Sequence, residues 1–246
     1  MIPLRDANPT RRTPVVTIGL VVACLVVFAW ELGLLASGGV DALDGFVQRW
    51  GVVPADLTRD AATGDVLTLT TLTLITSQFL HGGWLHLLGN LLYLWIFGNN
   101  IEDRFGRLGF LAFYLAGGVV AALAQVWTDP DSAVPLIGAS GAIAATLGAY
   151  LVLFPRARIT SLVFLGFFYQ LIDVPAIIVL AFWFVLQLID GLASLGAVDV
   201  GVAFFAHIGG FVFGAAIGLL VRAGTGRRRT GAGDAAVGRS DAPAVG

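Results

Sequence analysis

The chain has 246 residues, of which 57% are hydrophobic and 12% charged, with a formal net charge of −2. A soluble globular protein carries about a quarter charged residues and the mean hydropathy here is +0.88, so a disordered chain, a disulfide scaffold and an ordinary soluble enzyme are excluded in favour of a multi-pass membrane protein. Cys24 is the single cysteine, which rules out an intramolecular disulfide, and no basic face outside the tail is clustered enough for a nucleic-acid partner.

Residues 1–13 carry Arg5, Arg11 and Arg12 and read as a cytoplasmic N-terminal segment. The apolar run over 14–36 exceeds a signal-peptide core and lacks a cleavage site, so it is predicted to be a retained span. A long first external loop follows, holding Trp50, Pro54 and five aspartates. Further spans are predicted over 84–101, 108–127, 138–154, 174–193 and 204–222. All are long enough for a hydrocarbon core of about 30 Å with some adjustment. A fourteen-residue apolar stretch, 159–172, is too short to decide by length alone.

Charge decides it. With the N-terminus inside, six spans place twelve of the fourteen arginines on the cytoplasmic side and leave only Arg49 and Arg59 outside. A seventh span would send the last arginine cluster to the wrong face. The expectation is therefore an all-α fold with six transmembrane helices over 14–222, with 159–172 at the cytoplasmic interface. Residues 223–246, rich in Gly, Ala, Arg and Asp, read as a disordered cytoplasmic tail.

Polar side chains within hydrocarbon are costly and face a cavity or a partner. His86 and Asn90 sit near the external end of the second span, four residues apart and so on one helix face. Ser140 opens the fourth span and His207 the sixth, both from the external side. Fifteen residues from Ser140 to Phe154 make about 22 Å of helix, so Ser140 is expected below the external surface, in a cavity open to water. A serine hydroxyl needs a base with a near-neutral pKa to become a nucleophile, which His207 supplies. His86, the Asn90 amide and the Ser140 N–H are then available donors for an oxyanion. Asp190 is better placed at the interface than as a third member, so a Ser–His dyad is the simpler reading. Ser140, Ala144 and Gly148 on one span, and Gly210, Gly214 and Gly218 on another, have the spacing of closely packed helices.

Other polar residues have structural readings. Glu31 is expected to snorkel or pair locally, Gln187 to hydrogen-bond between helices, and Trp183 to pack within its span. Glu102 and Arg104 read as an ion pair or a cap. A metal site on His81, His86 and His207 competes with the dyad. No HExxH pattern or acidic ligand accompanies these histidines, and His81 and His86 would be about 140° apart around a helix.

The stretch Phe79-Leu80-His81-Gly82-Gly83-Trp84-Leu85-His86 followed by Asn90, together with Gly138-Ala139-Ser140-Gly141 and Ala206-His207-Ile208-Gly209-Gly210, resembles the three motifs of the rhomboid intramembrane serine proteases. Gly98 to Arg104 resembles the segment after their second helix. The resemblance covers about residues 45–222 and implies a six-transmembrane-helix rhomboid-like bundle. It implies Ser140 as nucleophile, His207 as base, and His86, Asn90 and the Ser140 amide as the oxyanion site. His81 would belong to a water-holding cavity, and Gly138, Gly141, Gly210 and Gly214 would serve helix packing. It implies no metal and no organic cofactor, and substrates that are transmembrane proteins in a lipid bilayer. The arginine placement puts both termini in the cytoplasm, and a bacterial plasma membrane is the expected location. Ala144 stands where some bacterial members carry an aromatic residue against the histidine, and their first-loop tryptophan–arginine pair is not evident. A catalytically silent relative that binds or escorts membrane clients is the alternative, against which both dyad residues are retained.

Overall fold

The computed structural model describes residues 1–65, 68–165, 168–194 and 203–237; side chains at 164, 165, 190, 194 and 225–237 lie outside that description. A short strand β1 (Ile2–Asp6) precedes α1 (Val15–Trp50), which is broken at Gly39 by a left-handed φ of 70°. The segment expected as a long loop is largely folded. α1 resumes after Gly39, and α2 (Pro54–Thr63), α3 (Leu69–Thr76) and a 3-10 turn over Ser77–Phe79 follow. α4 (Trp84–Phe105) and α5 (Arg107–Thr128) follow, joined through Gly106 alone, and α6 (Ser140–Leu153) lies among its neighbours. β2 (Arg158–Leu165) and β3 (Phe168–Pro175) lead into α7 (Ala176–Ser194) and α8 (Phe204–Val237).

The chain is mostly helical, and it is an integral membrane protein. Among the described residues α1, α5, α7 and α8 are long and apolar enough to cross a membrane. α4 and α6 differ from them for opposite reasons. α4 carries Asn90, Asn99, Asn100, Glu102, Asp103 and Arg104 among its apolar residues. α6 is only 14 residues long, and every residue from Gly141 to Tyr150 is buried. A helix apolar on all sides belongs at a centre, and α6 packs against α4, α5 and α8. The short helix α6 is thus the shielded one, whereas α4 buries Asn90, Asn100 and Glu102 and exposes Leu85, Leu88 and Trp95.

The all-α expectation requires a correction. Residues 159–172 fall within a β-hairpin, and the N-terminal segment adds a third antiparallel strand in the order β1-β2-β3, with Asp6 opposite Ile159 and Leu165 opposite Phe168. Ile159, Thr160, Val163, Ile172 and Val174 supply the β-branched residues that favour a pleated surface. This sheet lies at the opposite end of α6 from Ser140. There the Asp6 carboxylate accepts hydrogen bonds from Tyr150 Oη (2.9 Å) and Asn100 Nδ2 (2.6 Å). Burial holds the Asp6 carboxyl above its ordinary value, and the Tyr150 and Asn100 bonds oppose that shift. Near the same end Glu102 accepts from the backbone N–H groups of Val16 and Thr17 and from Thr17 Oγ1 (3.0, 2.8 and 2.8 Å). It thus satisfies donors that the first turn of α1 leaves without helical partners. α8 extends to Val237, and residues 238–246 of the tail assigned to 223–246 lie outside the described residues.

Candidate active site

The nucleophile loop before α6 is held from several sides. Val52 and Leu136 exchange both backbone hydrogen bonds (3.0 and 2.8 Å), Ala55 N–H donates to the Ser132 carbonyl (3.0 Å), and Gly138 N–H donates to the Ser77 carbonyl (2.8 Å). The folded connection between α1 and α4 therefore scaffolds the strand of chain that delivers Ser140. Gly138 has a φ of 120°, and a Cβ there would lie 2.6 Å from His86 Nε2 and 3.6 Å from Asn90 Nδ2. Only glycine lets the loop descend this close to α4.

α6 and α8 approach at backbone distance. A Cβ on Gly210 would collide with the Gly141 carbonyl, one on Gly214 with the Ala145 carbonyl, and one on Gly148 with the Phe211 carbonyl. This contact brings the first turns of the two helices side by side, the arrangement small residues permit. The start of α8 is also fixed from α5, where Gln125 Oε1 accepts from Ala206 N–H (3.3 Å). The outcome is a hydrogen bond of 2.8 Å between His207 Nε2 and Ser140 Oγ. The other ring nitrogen, Nδ1, lies 2.6 Å from Gln187 Oε1 on α7. Trp183, one turn earlier on α7, sets its ring 5.9 Å from the imidazole, centroid to centroid.

On α4, His86 Nδ1 accepts from Gly82 N–H (3.4 Å), leaving Nε2 on the side of the Gly138 loop. Asn90 is buried, and its Nδ2 has no hydrogen-bond partner among the described residues. It is a buried donor directed at the nucleophile loop, ready for an acceptor. His81 is buried too. Its backbone N–H faces Glu31, its Nδ1 lies 3.1 Å from the Phe79 carbonyl, and its Nε2 is unpartnered among the described residues. The His81 and His86 rings meet edge to face at 5.1 Å.

Six of the sequence-derived residues thus gather around one point: Ser140, His207, His86, Asn90, Gly138 and His81, while Gly141, Gly210 and Gly214 line the α6–α8 contact. Among the described residues no three His, Cys, Asp or Glu side chains are grouped as metal ligands. The side chain of Asp190 lies outside the described residues. Sequence reasoning gave Gln187 no place at the site. Its only signal was an amide in an apolar span, four residues after a tryptophan and so on the same helix face. Ala144 is fully buried and brings no ring to the imidazole, whereas Gln187 and Trp183 of α7 both contact His207.

The family model described as "Rhomboid domain" matches residues 69–224, more than half of the chain. The chain is 36% identical over 155 residues to the Rhomboid protease GluP of Bacillus subtilis, covering 63% of this chain and 28% of that protein. It is 31% identical over 161 residues to the Rhomboid protease AarA of Providencia stuartii, covering 58% of this chain and 53% of that protein. Rhomboid protein 1, mitochondrial, of Saccharomyces cerevisiae is 33% identical over 97 residues, 38% of this chain and 28% of that protein. The chain spans between about a quarter and a half of the length of these relatives. The matched region runs from α3 into α8 and includes each helix that carries a residue of the Ser140 site, and on that basis the chain belongs to the rhomboid family.

Proposed function

We propose that this chain is an intramembrane serine endopeptidase that cleaves transmembrane proteins near the external side of the membrane through a Ser140–His207 dyad. The observation that carries the reading is the 2.8 Å hydrogen bond between Ser140 Oγ and His207 Nε2. It joins the first residue of α6 to the first turn of α8. Relatives named as rhomboid proteases support the class of reaction.

In this mechanism His207 Nε2 takes the hydroxyl proton as Ser140 Oγ adds to the scissile carbonyl carbon. The oxyanion that forms accepts from Asn90 Nδ2, His86 Nε2 and the Ser140 N–H at the start of α6, donors already fixed before reaction. Collapse of the tetrahedral species breaks the C–N bond, and His207 returns its proton to the leaving amine. A water molecule then adds to the acyl-enzyme ester with His207 again as base, which releases the acid and restores Ser140. No step calls for a metal or an organic cofactor. His81 and the polar pocket around it would hold the water.

The topology that suits this chemistry has six spans: α1, α4, α5, α6, α7 and α8. α6 covers about 21 Å, short of a hydrocarbon core of about 30 Å. With its sheet end at the cytoplasmic face, Ser140 lies below the external surface, within reach of water and of an unwound substrate end. Both termini are then cytoplasmic, and the membrane is a bacterial plasma membrane.

The test is cleavage of a model transmembrane substrate by purified protein in proteoliposomes, with fluorophosphonate labelling in parallel. Wild type is expected to cleave and to label at Ser140, while Ser140→Ala and His207→Ala do neither. Undiminished cleavage by Ser140→Ala would overturn the proposal, and an unlabelled, inert wild type would favour a client-binding relative.

A further inference from the structure

A histidine can serve as base toward Ser140 only in one tautomer, with the proton on Nδ1 and the lone pair on Nε2. In the serine hydrolase pattern a third group accepts from Nδ1 and fixes that state. Among the described residues no carboxylate is within hydrogen-bond distance of His207, and Ala144 of α6 has neither an acceptor nor a ring to offer it. α7 instead sets two side chains, one turn apart, against the same imidazole. Gln187 Oε1 lies 2.6 Å from Nδ1, and the Trp183 ring lies 5.9 Å from the His207 ring, centroid to centroid.

We propose that Gln187 is the positioning residue of His207: its amide oxygen accepts the Nδ1 proton and thereby holds the Nε2 lone pair toward Ser140. This deepens the dyad reading and rests on it. An amide oxygen only accepts, so the bond fixes the tautomer without any charge on the third member. A neutral acceptor also does less than a carboxylate for the imidazolium that forms in the reaction, and so leaves room for improvement by substitution. The contact comes from an outlying helix. α7 packs mainly on α8 and exposes Ile178, Phe182, Val185 and Ile189 on its outer side. Seating of α7 on α8 is therefore a condition for a correctly oriented base.

The experiment compares wild type, Gln187→Leu, Gln187→Glu and Ser140→Ala, each as the full chain in proteoliposomes. Its readouts are kcat and KM across pH and the ¹⁵N signals of the histidine ring nitrogens. Wild type and Ser140→Ala are both expected to show the His207 Nδ1 signal as protonated in the neutral ring. Gln187→Leu is expected to lose this preference and to lower kcat by roughly 10²-fold, within the range of general-base contributions, with little change in KM. Gln187→Glu restores an acceptor and is expected to recover kcat. Its carboxylate favours imidazolium, so the acid limb of the rate profile moves to higher pH. Among the described residues His86 of α4 is the other titratable group facing His207, and it is the same in all four proteins.

Wild-type kcat and an unchanged His207 signal in Gln187→Leu would overturn the proposal. So would a Gln187→Glu variant that matches Gln187→Leu in both rate and pH profile. Loss of folding in Gln187→Leu leaves the question with Gln187→Glu and with the wild-type ring signals, where a proton on Nε2 is the adverse result. Cleavage by Ser140→Ala instead defeats the dyad reading itself, and the ring signals still report on Gln187.

Discussion

Both oxygens of the Glu31 carboxylate face the backbone N–H of His81, at 3.2 and 3.3 Å, across 50 residues of sequence. Glu31 is 2% exposed, so it does not snorkel to the interface as its position in the first span suggests. It holds the turn from which α4 begins, and α4 carries His86 and Asn90. Glu31→Leu leaves a buried N–H without an acceptor, at a cost of about 1–3 kcal/mol. Glu31→Gln keeps an acceptor and is expected to lose less. Thermal unfolding in detergent micelles separates the two, and equal melting temperatures for both variants and wild type would remove this role.

Asn90 Nδ2 is buried without a partner among the described residues, which has opposite consequences for stability and rate. As an oxyanion donor its loss in Asn90→Ala should lower kcat by about 10²–10³-fold with a smaller change in KM. The resting protein holds an unsatisfied donor there, so the same substitution should leave the melting temperature equal or higher. A variant that unfolds earlier while keeping its kcat would show the opposite role, a structural one.

Two glycines on different helices make a matched pair for the α6–α8 contact. A Cβ on Gly214 meets the Ala145 carbonyl, which is backbone and cannot rotate away, whereas one on Gly89 of α4 meets nothing within 4 Å. Gly214→Ala is expected to destabilise by roughly 1–3 kcal/mol through overpacking. It should also slow cleavage, because parting α8 from α6 lengthens the Ser140–His207 bond. Gly89→Ala should be neutral or gain about 0.5–1 kcal/mol from helix propensity. Chemical denaturation with parallel activity assays checks both.

The half-buried Asp6 carboxyl has a pKa raised above its ordinary value of 3.8, mainly by desolvation. A raised acid binds its proton more tightly in the folded state. Its contribution to stability is therefore complete below the ordinary value and is lost as pH rises through the folded one. Asp6→Asn keeps an acceptor for Tyr150 and carries no titratable proton. Wild type should thus lose stability relative to Asp6→Asn as pH rises from about 4 towards neutrality. Melting temperatures of both proteins over that range test the sign, and parallel curves would remove Asp6 as the source.

Composition by itself determined the class. A chain with 12% charged residues cannot cover a soluble surface in the usual way. Motif residues determined the family, because glycines, histidines and a serine stood in fixed short spacings that survive without any tertiary information. The residues that meet from afar were less legible. Ser140 and His207 are 67 residues apart, and their chemistry could be named from residue type, but their 2.8 Å separation depends on glycines that let two backbones touch. Glu31 looked like an interfacial carboxylate because hydropathy places a residue by depth and not by neighbour. The segment over 159–172 gave a weak signal for the same reason. Its strands pair with each other and with the first residues of the chain, a register set by hydrogen bonds between distant segments. What supports His207 was the least visible of all. The position next to it in the helix carrying Ser140 is the small Ala144, and the contacts come from Gln187 and Trp183 on α7. Local pattern reports the face a side chain occupies, and only the packing of helices decides which face it meets.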